Sequence, residues 1–171
     1  ISKEKKIGLY SYDKTVGYFH KKNFQYFLKD DNLTISTNDK GFRNNKKNIK
    51  STKLNILALG CSFTFGDQVS DGETWPSYLE ENLNIQVDNA GVNGYGTAQA
   101  LLLGQNILKT NKYNTVILST LVGSNFFRDQ MIYKSGFPKP SFVRIKDSVR
   151  IEFPPVDFEL YLLLINPRSW Y

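Results

Sequence analysis

The sequence has few of the residues on which disulfide-linked, zinc-binding and membrane-spanning proteins depend. It contains one cysteine (Cys61), one histidine (His20) and one methionine among 171 residues. A single cysteine cannot form an internal disulfide, and it excludes a multi-cysteine zinc site. No apolar run approaches the roughly 18 to 20 residues of a membrane-spanning helix, since the longest candidate is residues 160–165. The opening ISKEKK lacks the apolar core of a secretory signal and begins with isoleucine, so we expect the natural start to have been removed.

The net charge of +6 is concentrated at one end of the chain. Residues 1–53 hold 13 basic and 5 acidic residues, whereas residues 54–171 hold 9 and 11. The basic runs are short, are interrupted by asparagine and aspartate, and match no nucleic-acid-binding motif, so we expect no nucleic-acid partner. We interpret them as a solvated surface, the alternative being a patch for a polyanion, an acidic lipid or a docking partner.

Short apolar runs alternate with amphipathic segments in the middle of the chain. NILAL, IQV and TVILSTL begin at residues 55, 85 and 115 and are typical of buried strands. Residues 73–83 and 98–109 have apolar side chains three and four positions apart, which predicts two helices. This alternation predicts an α/β fold in which helices cover a parallel sheet. Ligands bind beyond the carboxyl ends of such strands, so the loops after them should converge on one rim.

The flanking regions are less regular. Residues 1–53 are predicted to form an N-terminal extension of short strands and loops, with LTIS at 33–36 as one strand. Residues 142–145 and 149–153 predict a hairpin.

Each of the three loops after the predicted strands carries groups that can do chemistry. They read GCSFTFG (60–66), NAGVNGYG (89–96) and GSN (123–125). A serine directly after a buried strand exposes its hydroxyl, glycines let the backbone approach a ligand, and asparagine offers an amide donor. Two nucleotide-binding motifs are excluded, because Gly66 is followed by Asp67 instead of Lys-Ser/Thr and the GxGxxG spacing is absent.

Together these motifs resemble those of the SGNH hydrolases, also called GDSL esterases and lipases. The resemblance covers residues 54–126, and TNDKGFRN (37–44) resembles a segment often found ahead of this domain in bacterial members. It implies a three-layer α/β/α sandwich of flavodoxin-like type over residues 54–171. It also implies hydrolysis or transfer of an ester-linked acyl group on a small molecule or carbohydrate, an acetyl group being one candidate, with no metal or organic cofactor.

The resemblance also assigns roles to individual residues. It implies that Ser62 is the nucleophile and that the oxyanion hole consists of the backbone N–H of Ser62, the backbone N–H of Gly94 and the side-chain amide of Asn125. Tyr95 and Phe126 lie on the same loops, and we expect them to contact the substrate.

The chain also departs from the family pattern. Gly-Asp-Ser is replaced by Gly-Cys-Ser at 60–62, Gly-x-Asn-Asp by Gly-Ser-Asn-Phe at 123–126, and the late Asp-x-x-His block is absent. A serine hydroxyl needs a base within hydrogen-bond reach, yet His20 lies outside the pattern and is interpreted as a surface or packing residue. We expect Cys61 to be buried and not to be a rival nucleophile.

Two explanations for the missing base remain open. In the first, the C-terminal part of the domain, including the Asp-x-x-His block, lies beyond Tyr171; the small number of predicted parallel strands favours this. In the second, the chain is an inactive module that binds a glycan or lipid at the same rim. The sequence assigns neither a compartment nor an oligomeric state.

Overall fold

The computed structural model describes residues 8–28, 32–47, 49–50, 54–130, 133–134 and 137–152. The helices are α1 (Ser62–Phe65), α2 (Trp75–Leu83), α3 (Thr97–Leu108) and α4 (Ser124–Asp129). The strands are β1 (Tyr10–Asp13), β2 (Gly17–His20), β3 (Gln25–Leu28), β4 (Leu33–Ser36), β5 (Asn55–Leu59), β6 (Gln86–Asn89), β7 (Thr115–Leu118), β8 (Tyr133–Lys134), β9 (Phe137–Pro138), β10 (Ser141–Ile145) and β11 (Ser148–Glu152).

A three-stranded parallel sheet in the order β6-β5-β7 carries the candidate site. This confirms the predicted mixed α/β fold with a parallel sheet. Alternate residues of β5 face opposite sides of the sheet: Leu57 and Leu59 pack with α3, whereas Ile56 and Ala58 pack with α2. Gly104 lies in α3 directly over Leu59, where an added Cβ would meet the Leu59 side chain. The glycine therefore allows the helix to approach the sheet closely.

The N-terminal extension forms two antiparallel hairpins, β1–β2 and β3–β4. Single bridges join Thr37 to Arg43 and Arg43 to Asn89, so the segment after β4 lies beside β6. Val16, Tyr18 and Ile35 belong to the same hydrophobic cluster as Leu57 and Phe65. The described parts of the extension and of the sheet thus share one core.

The predicted second hairpin is present as β10 and β11, whose last pair is Ile145 with Ser148. Its turn uses Lys146 at a φ of 52°. The last residue of the predicted hairpin, Phe153, and the apolar run at 160–165 lie outside the described residues. None of the described helices is both long enough and apolar enough to cross a membrane.

Candidate active site

Ser62 is the first residue of α1 and follows the central strand β5 after two residues. The turn depends on Gly60, because a Cβ there would collide with the Thr64 hydroxyl and lie 2.9 Å from the Ser119 carbonyl oxygen. Gly66 ends the helix in the left-handed region at a φ of 75°. Cys61 is buried at the N-cap, as expected, and its side chain makes no capping hydrogen bond. Ser62 is half-buried at the rim of the sheet.

The loop that contains Gly94 is fastened to α1. The Val92 N–H donates to the Gly60 carbonyl at 3.0 Å, and the Asn89 Nδ2 donates to the Thr64 carbonyl at 2.8 Å. A Cβ at Gly91 would lie 2.5 Å from the Phe65 nitrogen, so only glycine allows this contact. Gly94 itself is buried and has a φ of 85°. The second motif therefore lies against the helix that carries Ser62.

The loop after β7 reaches the same rim. Ser119 donates its N–H to the Leu59 carbonyl at 2.9 Å, and the hydroxyls of Thr97 and Thr120 are 3.3 Å apart. The chain then enters α4, whose second residue is Asn125. The structure thus brings all three predicted motifs to the carboxyl ends of β5, β6 and β7.

The Asn125 amide is a buried donor without an acceptor. The residue is 1% exposed and its Nδ2 has no hydrogen-bond partner in the part of the chain that the structure describes, while its Oδ1 is 3.4 Å from Arg128 Nη1. A buried amide that lacks a partner costs about 1–3 kcal/mol, so each such group in a native structure calls for an explanation. An anionic or carbonyl oxygen bound at this point would supply the missing acceptor.

Two backbone donors predicted for the oxyanion hole are also unpaired. Among the residues described, none accepts a hydrogen bond from the Ser62 N–H or from the Gly94 N–H. The Ser62 hydroxyl likewise has no partner within the described ranges. Within the described residues, the predicted nucleophile and the three predicted donors therefore make no hydrogen bond that a ligand would have to displace.

His20 is built into the core. It is 2% exposed, its Nδ1 lies 3.2 Å from the Gly41 carbonyl oxygen, and its ring lies 4.5 Å from that of Phe65. A carbonyl only accepts, so Nδ1 carries the proton, and burial lowers the pKa of His20 to about 3. No residue within the described ranges forms a hydrogen bond with Nε2. This agrees with the interpretation of His20 as a packing residue, and its ring is not bonded to Ser62.

Arg43 holds the end of α1 opposite Ser62, a role that the sequence analysis missed. Its guanidinium is fully buried and donates to Asp71 at 2.6 Å, to the Gly66 carbonyl at 3.1 Å and to the Val69 carbonyl at 2.9 Å. It also lies 4.8 Å from the centre of the Phe65 ring. Burial lowers the pKa of Arg43, and the Asp71 carboxylate opposes that shift. The one signal available was the position of Arg43 within the segment at 37–44.

Tyr95, which we expect to contact the substrate, has its side chain in the core. Tyr95 is fully buried, its hydroxyl donates to the Tyr18 carbonyl, and its ring packs edge-on against that of Tyr18 at 5.2 Å. An aromatic side chain whose polar tip is already bonded inside the core presents no surface to a ligand. Phe126 is 55% exposed on α4, so its predicted contact with the substrate stays a prediction.

The described residues form no group of three or more histidine, cysteine, aspartate or glutamate side chains that could hold a metal ion.

Comparisons with known proteins find similarity to part of the chain. No protein-family model and no curated protein matches it. Among solved structures, it is similar to AlinE4, described as a SGNH-hydrolase family esterase, with 31% identity and a TM-score of 0.40 over 46% of this chain and 45% of that chain. Two mutants of esterase AlinE4 match with 31% and 30% identity and a TM-score of 0.40, each over 47% of this chain and 46% of that chain. The chain thus spans about half the length of the structures that it matches.

Proposed function

We propose that this chain carries the nucleophile and the oxyanion hole of an SGNH-type serine esterase, which hydrolyses or transfers an ester-linked acyl group. The observation that carries the proposal is the unpaired, buried amide of Asn125. A ground-state carbonyl needs little from this donor, whereas the oxyanion of a tetrahedral intermediate gains a charge-assisted hydrogen bond. The hydrogen bond to the oxyanion then offsets the desolvation cost of the buried amide, and it does so in the transition state more than in the ground state.

The proposed reaction begins at the Ser62 hydroxyl. Its oxygen attacks the ester carbonyl carbon, and the carbonyl oxygen becomes an oxyanion that accepts from the Ser62 N–H, the Gly94 N–H and the Asn125 amide. The intermediate collapses, the ester C–O bond breaks and the alcohol departs with a proton, which leaves the acyl group on Ser62. Water or another alcohol then attacks the acyl group and restores the serine.

The proton of Ser62 needs an acceptor other than His20. That ring is buried, its pKa is lowered to about 3, and its Nδ1 donates to Gly41. The resemblance to the SGNH hydrolases assigns this role to the histidine of an Asp-x-x-His block, oriented by the aspartate. The sequence has no histidine besides His20, and no described residue is bonded to the Ser62 hydroxyl, so the proposal assigns the proton to a base other than those described beside Ser62.

The substrate is proposed to be an acyl ester of a small molecule or carbohydrate, with an acetylated sugar as one candidate. Phe126 follows Asn125 directly and Phe63 follows Ser62, and their side chains are 55% and 67% exposed. Exposed aromatic rings beside the donors offer an apolar surface against which an acyl or sugar group can pack.

A second candidate is a non-catalytic module that binds a glycan or lipid at the same rim. It is favoured by the Ser62 hydroxyl, which has no partner among the described residues and thus no base to activate it. Such a module would bind its ligand equally well after the hydroxyl is removed. The enzyme, in contrast, would lose turnover.

The test is fluorophosphonate labelling of the full-length protein, with the adduct located by peptide mass spectrometry. We expect a stoichiometric adduct on Ser62 that is absent in Ser62→Ala and retained in Cys61→Ala, the matched change of the adjacent buried side chain. An absence of adduct on folded protein, together with ligand binding that Ser62→Ala leaves intact, would establish the binding module in its place.

A further inference from the structure

Asp129 joins the loop that carries Gly94 to the helix that carries Asn125. It is the last residue of α4, and its Oδ1 and Oδ2 lie 3.0 and 3.1 Å from the Ala98 nitrogen in the first turn of α3. The N-cap of α3 is Gly96, which has no side chain to satisfy this donor. Asp129 therefore supplies from a different helix the carboxylate acceptor that a helix N-terminus favours.

Gly96 makes this contact possible. A Cβ at Gly96 would collide with the Asp129 carboxylate and would lie 2.8 Å from the Asp129 backbone nitrogen. Gly96 is two residues after Gly94, and Asp129 is about one helical turn after Asn125. This contact therefore joins the segment just after Gly94 to the helix that carries Asn125.

Helix α4 is short and largely exposed. It is six residues long, Asn125 is its one buried residue, and its N-cap, Gly123, provides no side-chain hydrogen bond. Its aromatic residues Phe126 and Phe127 are 55% and 71% exposed. A helix this short is not stable alone, so tertiary contacts must fix its position. Among the described residues, its hydrogen bonds to other elements are those of the Asp129 carboxylate with Ala98 and a 2.5 Å bond from Lys139 Nζ to the Arg128 carbonyl. The Arg128 guanidinium also interacts electrostatically with Tyr18.

We propose that Asp129 is a positioning residue that sets the distance between the Gly94 N–H and the Asn125 amide. The inference rests on the proposed function. An oxyanion hole works when its donors lie within hydrogen-bond distance of the developing oxyanion, and a misplacement of about 1 Å can cost about a hundredfold in rate. The Asp129 carboxylate acts through the two donors and does not touch the substrate.

The test compares Asp129→Ala with a matched control at the opposite end of α3. The Asn111 Nδ2 donates to the Ile107 carbonyl at 3.1 Å, so Asn111→Ala also removes one side-chain bond to a terminal backbone group of this helix. We expect Asp129→Ala to lower kcat for p-nitrophenyl acetate by roughly 10- to 100-fold while KM changes little. Asn111→Ala should lose similar stability but keep kcat. Asp129→Asn, which keeps one acceptor oxygen, should recover most of the rate.

Both the kinetics and the hydrogen exchange can overturn the positioning role. An unchanged kcat in Asp129→Ala, or an equal fall in both alanine variants, would overturn the positioning role. If wild type turns over no ester, the proposed function fails separately, and amide hydrogen exchange in residues 94–98 and 121–127 still tests the clamp. Faster exchange there in Asp129→Ala than in Asn111→Ala supports it, whereas identical exchange refutes it.

Discussion

Replacing Asn125 with alanine should separate activity from stability. The Nδ2 of this side chain is buried and unpaired, so no intramolecular hydrogen bond of that group is lost in the variant. Its Oδ1 is 3.4 Å from Arg128 Nη1, near the upper limit of a useful hydrogen bond. We therefore expect the amide to contribute little to the free energy of unfolding. Under the proposed mechanism, it contributes strongly to transition-state stabilisation.

The expected magnitudes differ by several kilocalories per mole. Loss of one oxyanion-hole donor lowers kcat by about 10²- to 10³-fold, or about 3–4 kcal/mol of transition-state stabilisation. For folding, removal of the unpaired donor returns about 1–3 kcal/mol of desolvation cost. This gain offsets the packing lost with the side chain, so we expect the free energy of unfolding to stay within about 1 kcal/mol of wild type.

Asn45 provides the matched control. It is also a buried asparagine, 5% exposed, but its Nδ2 donates to the Val87 carbonyl at 2.6 Å. Asn45→Ala should therefore lower the free energy of unfolding by about 1–3 kcal/mol and leave kcat unchanged in the folded protein. Urea denaturation measures the first quantity for both variants, and p-nitrophenyl acetate hydrolysis measures the second.

Comparison of the two variants tests whether the Asn125 amide is an oxyanion donor. If Asn125→Ala destabilises the protein as much as Asn45→Ala does, the Asn125 amide has a structural partner and is not held open for an oxyanion. If Asn125→Ala keeps the kcat and KM of wild type, the amide is not an oxyanion donor, whatever its effect on folding.

Three other predictions concern the core around α1. Arg43→Ala removes the cation from Asp71, whose carboxylate keeps its bonds from Ser36, and removes a buried donor from the carbonyls of Gly66 and Val69. We therefore expect a loss of about 3–5 kcal/mol in urea denaturation. Arg43→Lys should recover part of that loss, and full stability in the alanine variant would contradict this account. Burial lowers the pKa of His20 to about 3 in the folded state, whereas an unfolded histidine has a pKa of ~6.5. Between pH ~3 and ~6.5 the unfolded state therefore binds more protons than the folded state. The free energy of unfolding should rise with pH across this window by up to ~1.4 kcal/mol per pH unit. The slope should be shallower in His20→Phe, and equal slopes would show that His20 is not held neutral. Gly91→Ala places a Cβ 2.5 Å from the Phe65 nitrogen and should lower the unfolding free energy by more than ~2 kcal/mol, whereas an unchanged midpoint would mean that the loop moves freely away from α1.

The sheet was predictable because its signal is local. Leu57, Ala58 and Leu59 are all within 1% of full burial in the central strand, and an apolar run with no polar face is what such a strand requires. The hairpins β1–β2 and β3–β4 were predicted only as short strands and loops. Their strands are four residues long, and their pairing depends on partners that no local pattern reveals.

The sequence order of the three motifs predicted that their loops lie at one edge of the sheet. It did not predict the contacts between residues distant in the sequence. The loops containing Ser62, Gly94 and Asn125 converge because parallel strands end on one side of a sheet. Arg43 was missed because it bonds to a carbonyl 22 residues away, and Asp129 because it bonds to a donor 31 residues away. The burial of the Tyr95 side chain could not be predicted for the same reason, since the acceptor of its hydroxyl lies 77 residues away.

The hydrogen bonding of α1 is asymmetric, and this asymmetry explains how a helix of four residues can present a reactive serine. Such a helix has no stability of its own, so groups outside it must hold it. Three of its four carbonyls have donors: that of Ser62 accepts from the Gly66 N–H, that of Thr64 from Asn89, and that of Phe65 from Arg43. Arg43 also donates to the carbonyl of the C-cap Gly66.

The opposite end of α1 is left open. Cys61, where the family pattern has aspartate, makes no side-chain capping bond, and no described residue accepts from the Ser62 or Phe63 N–H. A carboxylate at that position could compete for these donors, since an N-cap side chain bonds to the N–H groups of the first turn. The loss of the aspartate therefore does not argue against an oxyanion hole. Hydrogen bonds to its carbonyls hold the helix in place and leave its first N–H groups available for a ligand. Under the proposed mechanism, Arg43 and Asn89 therefore position the helix, whereas Ser62 performs the chemistry.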